Sequence, residues 1–235
     1  MKRVAAILAL ATLVTGCAVE RPAPVQLSAD LVTQSSAVRR DARLWRAELR
    51  GTSALQRTSS AAENELPAGT TIQTRDESGG QFENECVRVL LDETSLFGIV
   101  SYASTGLRVE VNLGIGRFYL ESRCEGGLRF SAGSGAARTL ANLDSAFAAV
   151  VEPDRTTIHL LEGTIEFLFP ETATMRAGQT AVIENGRLTI RPTQASDRQE
   201  IDARRATIEA GLRPVTIPAS SPATRVAGAG GISTT

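Results

Sequence analysis

The chain has 235 residues, of which 42% are hydrophobic, 22% charged and 4% aromatic, with a formal net charge of −1. That composition supplies a core for one or two domains, but it argues against a dedicated nucleic-acid binder, which needs a basic face. The scarcity of aromatic rings also leaves little on which bases or sugars could stack.

The N-terminus reads as processing signal rather than fold. Lys2 and Arg3 precede an apolar run from Val4 to Val14, the n- and h-regions of a signal peptide. The run is shorter than the roughly 20 residues a membrane-spanning helix needs. It ends in Val14-Thr15-Gly16-Cys17, which resembles the lipobox of bacterial lipoproteins. The resemblance implies that residues 1–16 are removed and that Cys17 carries the lipid, anchoring the chain to a membrane. An ordinary secretory peptide cleaved nearby is the alternative. Ala18, where inner-membrane lipoproteins favour Asp, implies the outer membrane, with the chain facing the periplasm. Residues 17–42, with Pro22, Pro24, Ser28, Ser35 and Ser36, read as a tether, with a short helix expected around 29–43.

Setting Cys17 aside leaves Cys86 and Cys124. An even remainder in an oxidising compartment suggests one disulfide, the alternative being two buried thiols.

Residues 43–192 read as an all-β domain. Leu107, Val109, Val111 and Leu113 alternate with Arg108, Glu110 and Asn112, the period of a half-buried strand. Leu96–Tyr102 is mostly apolar, as expected of a central strand. Ser59–Pro67 reads as a loop, and the Gly-Ser-rich Ala132–Ala137 as a turn or mobile loop. Between Thr156 and Ile190, strand-like runs are separated by Glu162-Gly163, Ala177-Gly178 and Asn185-Gly186; the last is a strong hairpin signal. About a dozen short strands at roughly 8–12-residue spacing predict a sandwich, a barrel or a solenoid-like stack.

Chemistry-bearing motifs are sparse. His159 is the only histidine and sits inside a strand, so it reads as a core or rim residue, and metal sites built on several histidines are excluded. No Gly-x-Ser-x-Gly elbow exists, and with Lys2 the only lysine no Walker-type loop is possible. Asp92 with Glu93, or Glu121 with Glu125, could supply two carboxylates for glycoside hydrolysis. Asp76, Glu77, Asp92 and Glu93 could approach Ca²⁺, but without ordered ligand spacing. The expectation is a non-enzyme without cofactor or metal.

After the domain, Ser196 and Gln199 have the spacing of a capping box, opening an amphipathic helix over 195–212 that Gly211 and Pro214 end. Ile201, Ile208 and Leu212 form its apolar stripe, with Arg204, Arg205 and Glu209 assigned to solvent. The helix could pack on the β-domain or dock on a partner. Residues 213–235 are expected to be disordered.

The order of these signals resembles the FecR domain, the periplasmic sensory domain of bacterial anti-sigma regulators. The matching residues are Leu66-Pro-Ala-Gly69-Thr-Thr-Ile72-Gln-Thr74, Leu90-Leu-Asp92-Glu-Thr-Ser95, Leu107-Arg-Val109 and Gly116-Arg-Phe-Tyr-Leu120. Ser145-Ala-Phe147, Thr157-Ile-His-Leu-Leu-Glu162-Gly163-Thr-Ile165 and Met175-Arg-Ala-Gly178-Gln179 complete the set. The chain departs from the pattern at Asp144-Ser145, where the family has Gly-Thr, and neither the family's transmembrane helix nor its cytoplasmic anti-sigma segment is expected in it. The resemblance implies an extracytoplasmic module that binds an envelope protein in sensing or signalling. A structural accessory role in an outer-membrane or secretion assembly is the alternative. A peptidoglycan or carbohydrate binder is disfavoured by the few aromatics.

Overall fold

The computed structural model describes residues 42–102 and 108–219. Cys17, the leader, nearly all of the expected tether and residues 220–235 lie outside the described residues.

The described chain begins with β1 (Ala42–Leu44), β2 (Arg46–Arg50), β3 (Ser53–Gln56), β4 (Glu65–Pro67), β5 (Thr71–Thr74) and β6 (Gly79–Glu83). It continues through β7 (Val87–Leu91), β8 (Leu96–Tyr102), β9 (Val109–Leu113), β10 (Gly116–Ser122), β11 (Leu128–Ala132) and β12 (Gly135–Thr139). β13 (Ser145–Val151), β14 (Arg155–Glu162), β15 (Thr164–Phe169), β16 (Ala173–Arg176), β17 (Gln179–Glu184) and β18 (Arg187–Pro192) follow. The helix α1 (Ala195–Glu209) and β19 (Arg213–Val215) complete it.

Two large sheets result. One has nine strands in the order β18-β17-β14-β13-β10-β7-β6-β2-β19, and the other eight in the order β16-β15-β12-β11-β9-β8-β5-β3. β1 and β4 pair separately. Pairing is antiparallel except between β9 and β11. The chain changes sheet every one or two strands, so β6 and β7 lie in the first, β8 and β9 in the second, β10 in the first again. This all-β sandwich, wound between its layers, fits the sandwich or solenoid-like expectation.

The core lies between the sheets, and strand alternation puts it there. Val109, Val111 and Leu113 of β9 are fully buried, as are Phe118 and Leu120 of β10. Phe130 of β11 stacks on Phe147 of β13 with ring centroids 4.6 Å apart, joining the two layers by an aromatic contact. The turn glycines fit the chain's path. At Gly163, where the chain passes from β14 to β15, φ is +85°, and a Cβ would stand 2.5 Å from the Asp144 carbonyl oxygen. The Asp144-Ser145 departure therefore forms part of the wall against which this glycine turns. Asn185 and Gly186 both take positive φ, the conformation of a tight primed hairpin turn, here joining β17 to β18.

Several expectations are corrected. The turn expected within Ala132–Ala137 is present but confined to Gly133-Ser134, and the flanking residues belong to the β11–β12 hairpin, with Ala132 opposite Gly135. Pro67 and Leu66, assigned to a loop, lie in β4 with Leu66 fully buried. Leu96–Tyr102 lies inside its sheet between β5 and β9, as a central strand does, but it is only half-buried, because Leu96 and Val100 are exposed. Ala42–Leu44 is a strand, so no tether helix reaches Arg43. The expected disorder does not begin at 213: β19 pairs with β2, Asn64 Oδ1 accepts from the Ile217 amide at 3.0 Å, and Ile217 enters the core. Pro214 is tolerated there because β19 is the outermost strand of its sheet, where a missing N–H breaks no ladder.

Candidate functional site

The outer face of the nine-stranded sheet carries the helix and most of the candidate polar residues. Pairing register aligns Gln81, Leu90, Tyr119, Ala148, His159, Thr180 and Arg191 in one row across seven strands. Residues on this row point away from the inter-sheet core. α1 covers the centre of the row: Ile201 and Ile208 bury themselves against Leu90, Tyr119 and Ala148. Burial here, with Asp92 as the second cause, pushes the Tyr119 phenol up to about 12.

The helix begins two residues before the expected box, with Gln194 as its N-cap. Asp197, not Gln199, fills the reciprocal position, accepting from the Gln194 amide at 3.4 Å and pairing with Arg191 at 3.3 Å. Thr193 fixes this start, since its amide donates to the Gly178 carbonyl and its hydroxyl meets that of Thr180. At the other end the helix stops at Glu209, and Gly211 takes φ of +82°, as expected of a C-terminal glycine.

Arg204 and Arg205 follow Ile201 by three and four residues. On a helix those positions share a face with it, so both face the sheet instead of the solvent assigned to them. Arg204 Nε donates to Asp92 Oδ2 at 2.5 Å and its Nη2 to Glu93 Oε1 at 2.9 Å. The bond to Asp92, above all, holds the guanidinium above its ordinary range. Arg205 Nη2 donates to Glu121 at 2.7 Å, and Arg88, directly opposite Glu121 in the sheet, reaches Glu209 at 3.1 Å and Glu121 at 3.4 Å. Two ion-pair clusters, Arg204 with Asp92 and Glu93, and Arg88 and Arg205 with Glu121 and Glu209, thus fasten helix to sheet.

These ion pairs account for three of the six candidate acids, Asp92, Glu93 and Glu121. Asp92 is 2% exposed, and its other oxygen accepts from the Glu93 amide. The turns holding Asp76-Glu77 and Asp92-Glu93 do meet, but through the Glu77 amide donating to Glu93 Oε2 at 3.2 Å. Among the described residues no group of three His, Cys, Asp or Glu is arranged to hold a metal. Glu121 and Glu125 are not brought into one site: Glu121 lies under the helix, whereas Glu125 is exposed in the turn before Gly126. Arg88, Arg204 and Arg205 are the residues that sequence reasoning missed; the signal for Arg204 and Arg205 was the three-and-four spacing from Ile201, whereas Arg88 is placed by the β7–β10 register, which the sequence does not show.

His159 is buried on the same row, its Nδ1 2.9 Å from Thr180 Oγ1. Burial pushes its imidazole below the ordinary 6.5, against a smaller upward pull from Asp197. The unfolded chain therefore takes up a proton near pH 6.5 that the folded chain refuses until lower pH. This group costs stability as pH falls through and below that value and adds no pH dependence well above it. His159→Gln removes the term. Relative to its parent, the variant is expected to gain stability between about pH 7.5 and about pH 5.5, a window that brackets the ordinary histidine value. Denaturant midpoints at the two pH values measure it.

Cys86 and Cys124 form a disulfide between the start of β7 and the segment after β10. The Cys86 carbonyl accepts from the Arg123 amide at 2.7 Å, and Asn84 Oδ1 caps the amides of Cys86 and Val87. Close by in the sequence, Glu85 is bound by Arg43, whose guanidinium also lies over the Tyr102 ring.

No family model matches the chain, and no curated protein matches it. Two crystal structures of a candidate anti-sigma factor from Parabacteroides distasonis ATCC 8503 are similar to it. The first has a TM-score of 0.41 and 12% identity over 65% of this chain and 64% of that one. The second has a TM-score of 0.41 and 11% identity over 63% of each. The chain thus spans less than two thirds of that protein's length, and a likeness at this level assigns neither family nor activity.

Proposed function

We propose that this chain is a non-enzymatic, lipid-anchored envelope protein whose FecR-like β-domain binds a protein partner in sensing or signalling. The observation that carries the reading is the contrast between the two outer faces. On the nine-stranded sheet, Asp92, Glu93 and Glu121 are tied to α1 by ion pairs, so they serve attachment. On the eight-stranded sheet, the edge strand β16 has no further neighbour among the described residues, and Leu168 and Phe169 of the adjoining β15 are exposed. An open edge beside apolar side chains suits strand addition by an extended partner segment, with backbone bonds giving affinity and side-chain pockets specificity.

The test is crosslinking in intact cells with a photoreactive residue at Thr174 of β16, partners being identified by mass spectrometry. A receptor or regulator captured from Thr174, but not from Asp202 on the exposed side of α1, supports the reading. A barrel or export machine moves the protein to an accessory role, and retention on cell-wall sacculi without a protein partner overturns both. The anchor is tested separately. Cys17→Ser is expected to lose membrane fractionation, and a variant that stays membrane-bound by the same route removes the lipoprotein assignment.

A further inference from the structure

We propose that a groove on the outer face of the eight-stranded sheet, at the start of β9 and β11, binds a phosphate group. The groove has a volume of about 250 Å³, and its lining includes Arg108, Arg129 and Arg138 with the turns at Gly126 and at Leu140–Ala141. No carboxylate is among its lining residues.

Strand alternation brings the arginines together. Leu128, Phe130, Ala137 and Thr139 point into the core, so Arg129 and Arg138 between them point out. They are directly opposite each other on antiparallel β11 and β12, a placement that sets like charges about 5 Å apart at Cβ and destabilises the pair. Compensation within the chain is incomplete. Arg138 pairs with Glu166 at 2.7 Å. Arg129 stands opposite Glu110 in the parallel register with β9, yet Glu110 accepts from Ser101 Oγ at 3.0 Å, and Arg129 has no ion pair among the described residues. Arg108 is oriented by its Nε, which donates to the Gly126 carbonyl at 3.3 Å, leaving its terminal nitrogens for another acceptor. The neighbouring glycine permits this approach, since a Cβ on Gly126 would already stand 3.0 Å from the Arg108 Cβ.

Three guanidiniums around one opening, two of them without an ion pair among the described residues, match the chemistry of a phosphate. The planar fork donates two parallel bonds to phosphate oxygens, and a phosphate monoester offers three oxygens and up to two charges. A single carboxylate would leave donors unused. The ligand could be a lipid headgroup or free phosphate. Val109 pairs with Tyr102, whose hydroxyl accepts from Trp45 Nε1 and donates to the Leu66 carbonyl. The groove therefore opens at the end of the sandwich where the described chain begins. If Cys17 is the anchor, as proposed above, the chain is held at a membrane and a lipid headgroup is an available source. The lipid source rests on that reading; the phosphate site does not.

The full chain in neutral detergent is titrated with inorganic phosphate, following the amide resonances of Gly126, Gly127 and Leu140. The same resonances are then followed in nanodiscs of phosphatidylcholine alone and with a quarter of phosphatidylglycerol. Saturable shifts with free phosphate assign the site to a soluble ligand, and shifts seen only with the anionic lipid assign it to a headgroup. In either arm, Arg129→Gln is expected to weaken binding about tenfold, the loss of one charge-assisted contact. Glu166→Gln, which frees Arg138, is expected to tighten it, and Arg187→Gln on distant β18 to leave it unchanged. No shift in either arm, or shifts that Arg129→Gln leaves intact, would overturn the proposal.

Discussion

A chain carrying Cys86→Ala and Cys124→Ala is expected to unfold with about 4 kcal/mol less stability than the oxidised parent. The estimate follows from the sequence separation of 38 residues, because a crosslink closing a loop of that length removes unfolded-state entropy on that scale. It would be a large share of the 5–15 kcal/mol by which domains are typically stable. Both cysteines are buried in the inter-sheet core, and alanine leaves no unpaired polar atom there. The measurement is the denaturant midpoint of oxidised parent, reduced parent and double variant. The reduced parent should fall close to the variant. Equal midpoints for oxidised parent and variant would mean that the β7 and β10 ladders alone hold this end of the sandwich. A loss of the expected size would make the domain strongest in an oxidising compartment, which is where the leader reading sends it.

The inter-sheet core was legible in the sequence because it needs only period two. Val109, Val111 and Leu113 occupy the predicted face, and Asn185-Gly186 turns where its dipeptide chemistry requires. The second apolar layer was not. Leu90-Leu91 and Tyr119-Leu120 are consecutive buried pairs, one residue of each in the inter-sheet core and the other under α1. Such a run departs from alternation and gives no sign of what covers its outer side. Arg204 and Arg205 were assigned to solvent because charge suggests exposure. Their helical spacing from Ile201 is the stronger signal, and the sheet acids they meet lie more than eighty residues away in the chain. The buried Ile217 was hidden in a Pro-, Ala- and Ser-rich segment whose composition suggests disorder, since a single side chain and a three-residue strand leave almost no pattern.

Arg204→Ala is expected to lower stability by about 3 kcal/mol, the lower end of the range for removing one member of a buried ion pair. The lower end applies because the Arg204 side chain is 34% exposed, while that of Asp92 is only 3% exposed. The loss comes from the carboxylate left behind: Asp92 retains the Glu93 amide but loses its only cationic partner among the described residues. Adding Asp92→Asn to Arg204→Ala should therefore recover part of the stability, although Asp92→Asn alone is destabilising. That reversal of sign in a double-mutant cycle separates an ion pair from two independent packing losses. Hydrogen exchange supplies the structural readout, with amides of α1 opening more readily in Arg204→Ala than those of β10 and β13. The outcome bears directly on function. If the helix loosens and the whole domain weakens with it, Asp92 and Glu93 belong to the attachment of α1, and any partner surface lies elsewhere. If the helix releases while the sandwich keeps its full stability, α1 is a detachable arm, and Leu90, Tyr119 and Ala148 beneath it become a second apolar surface for a partner to use.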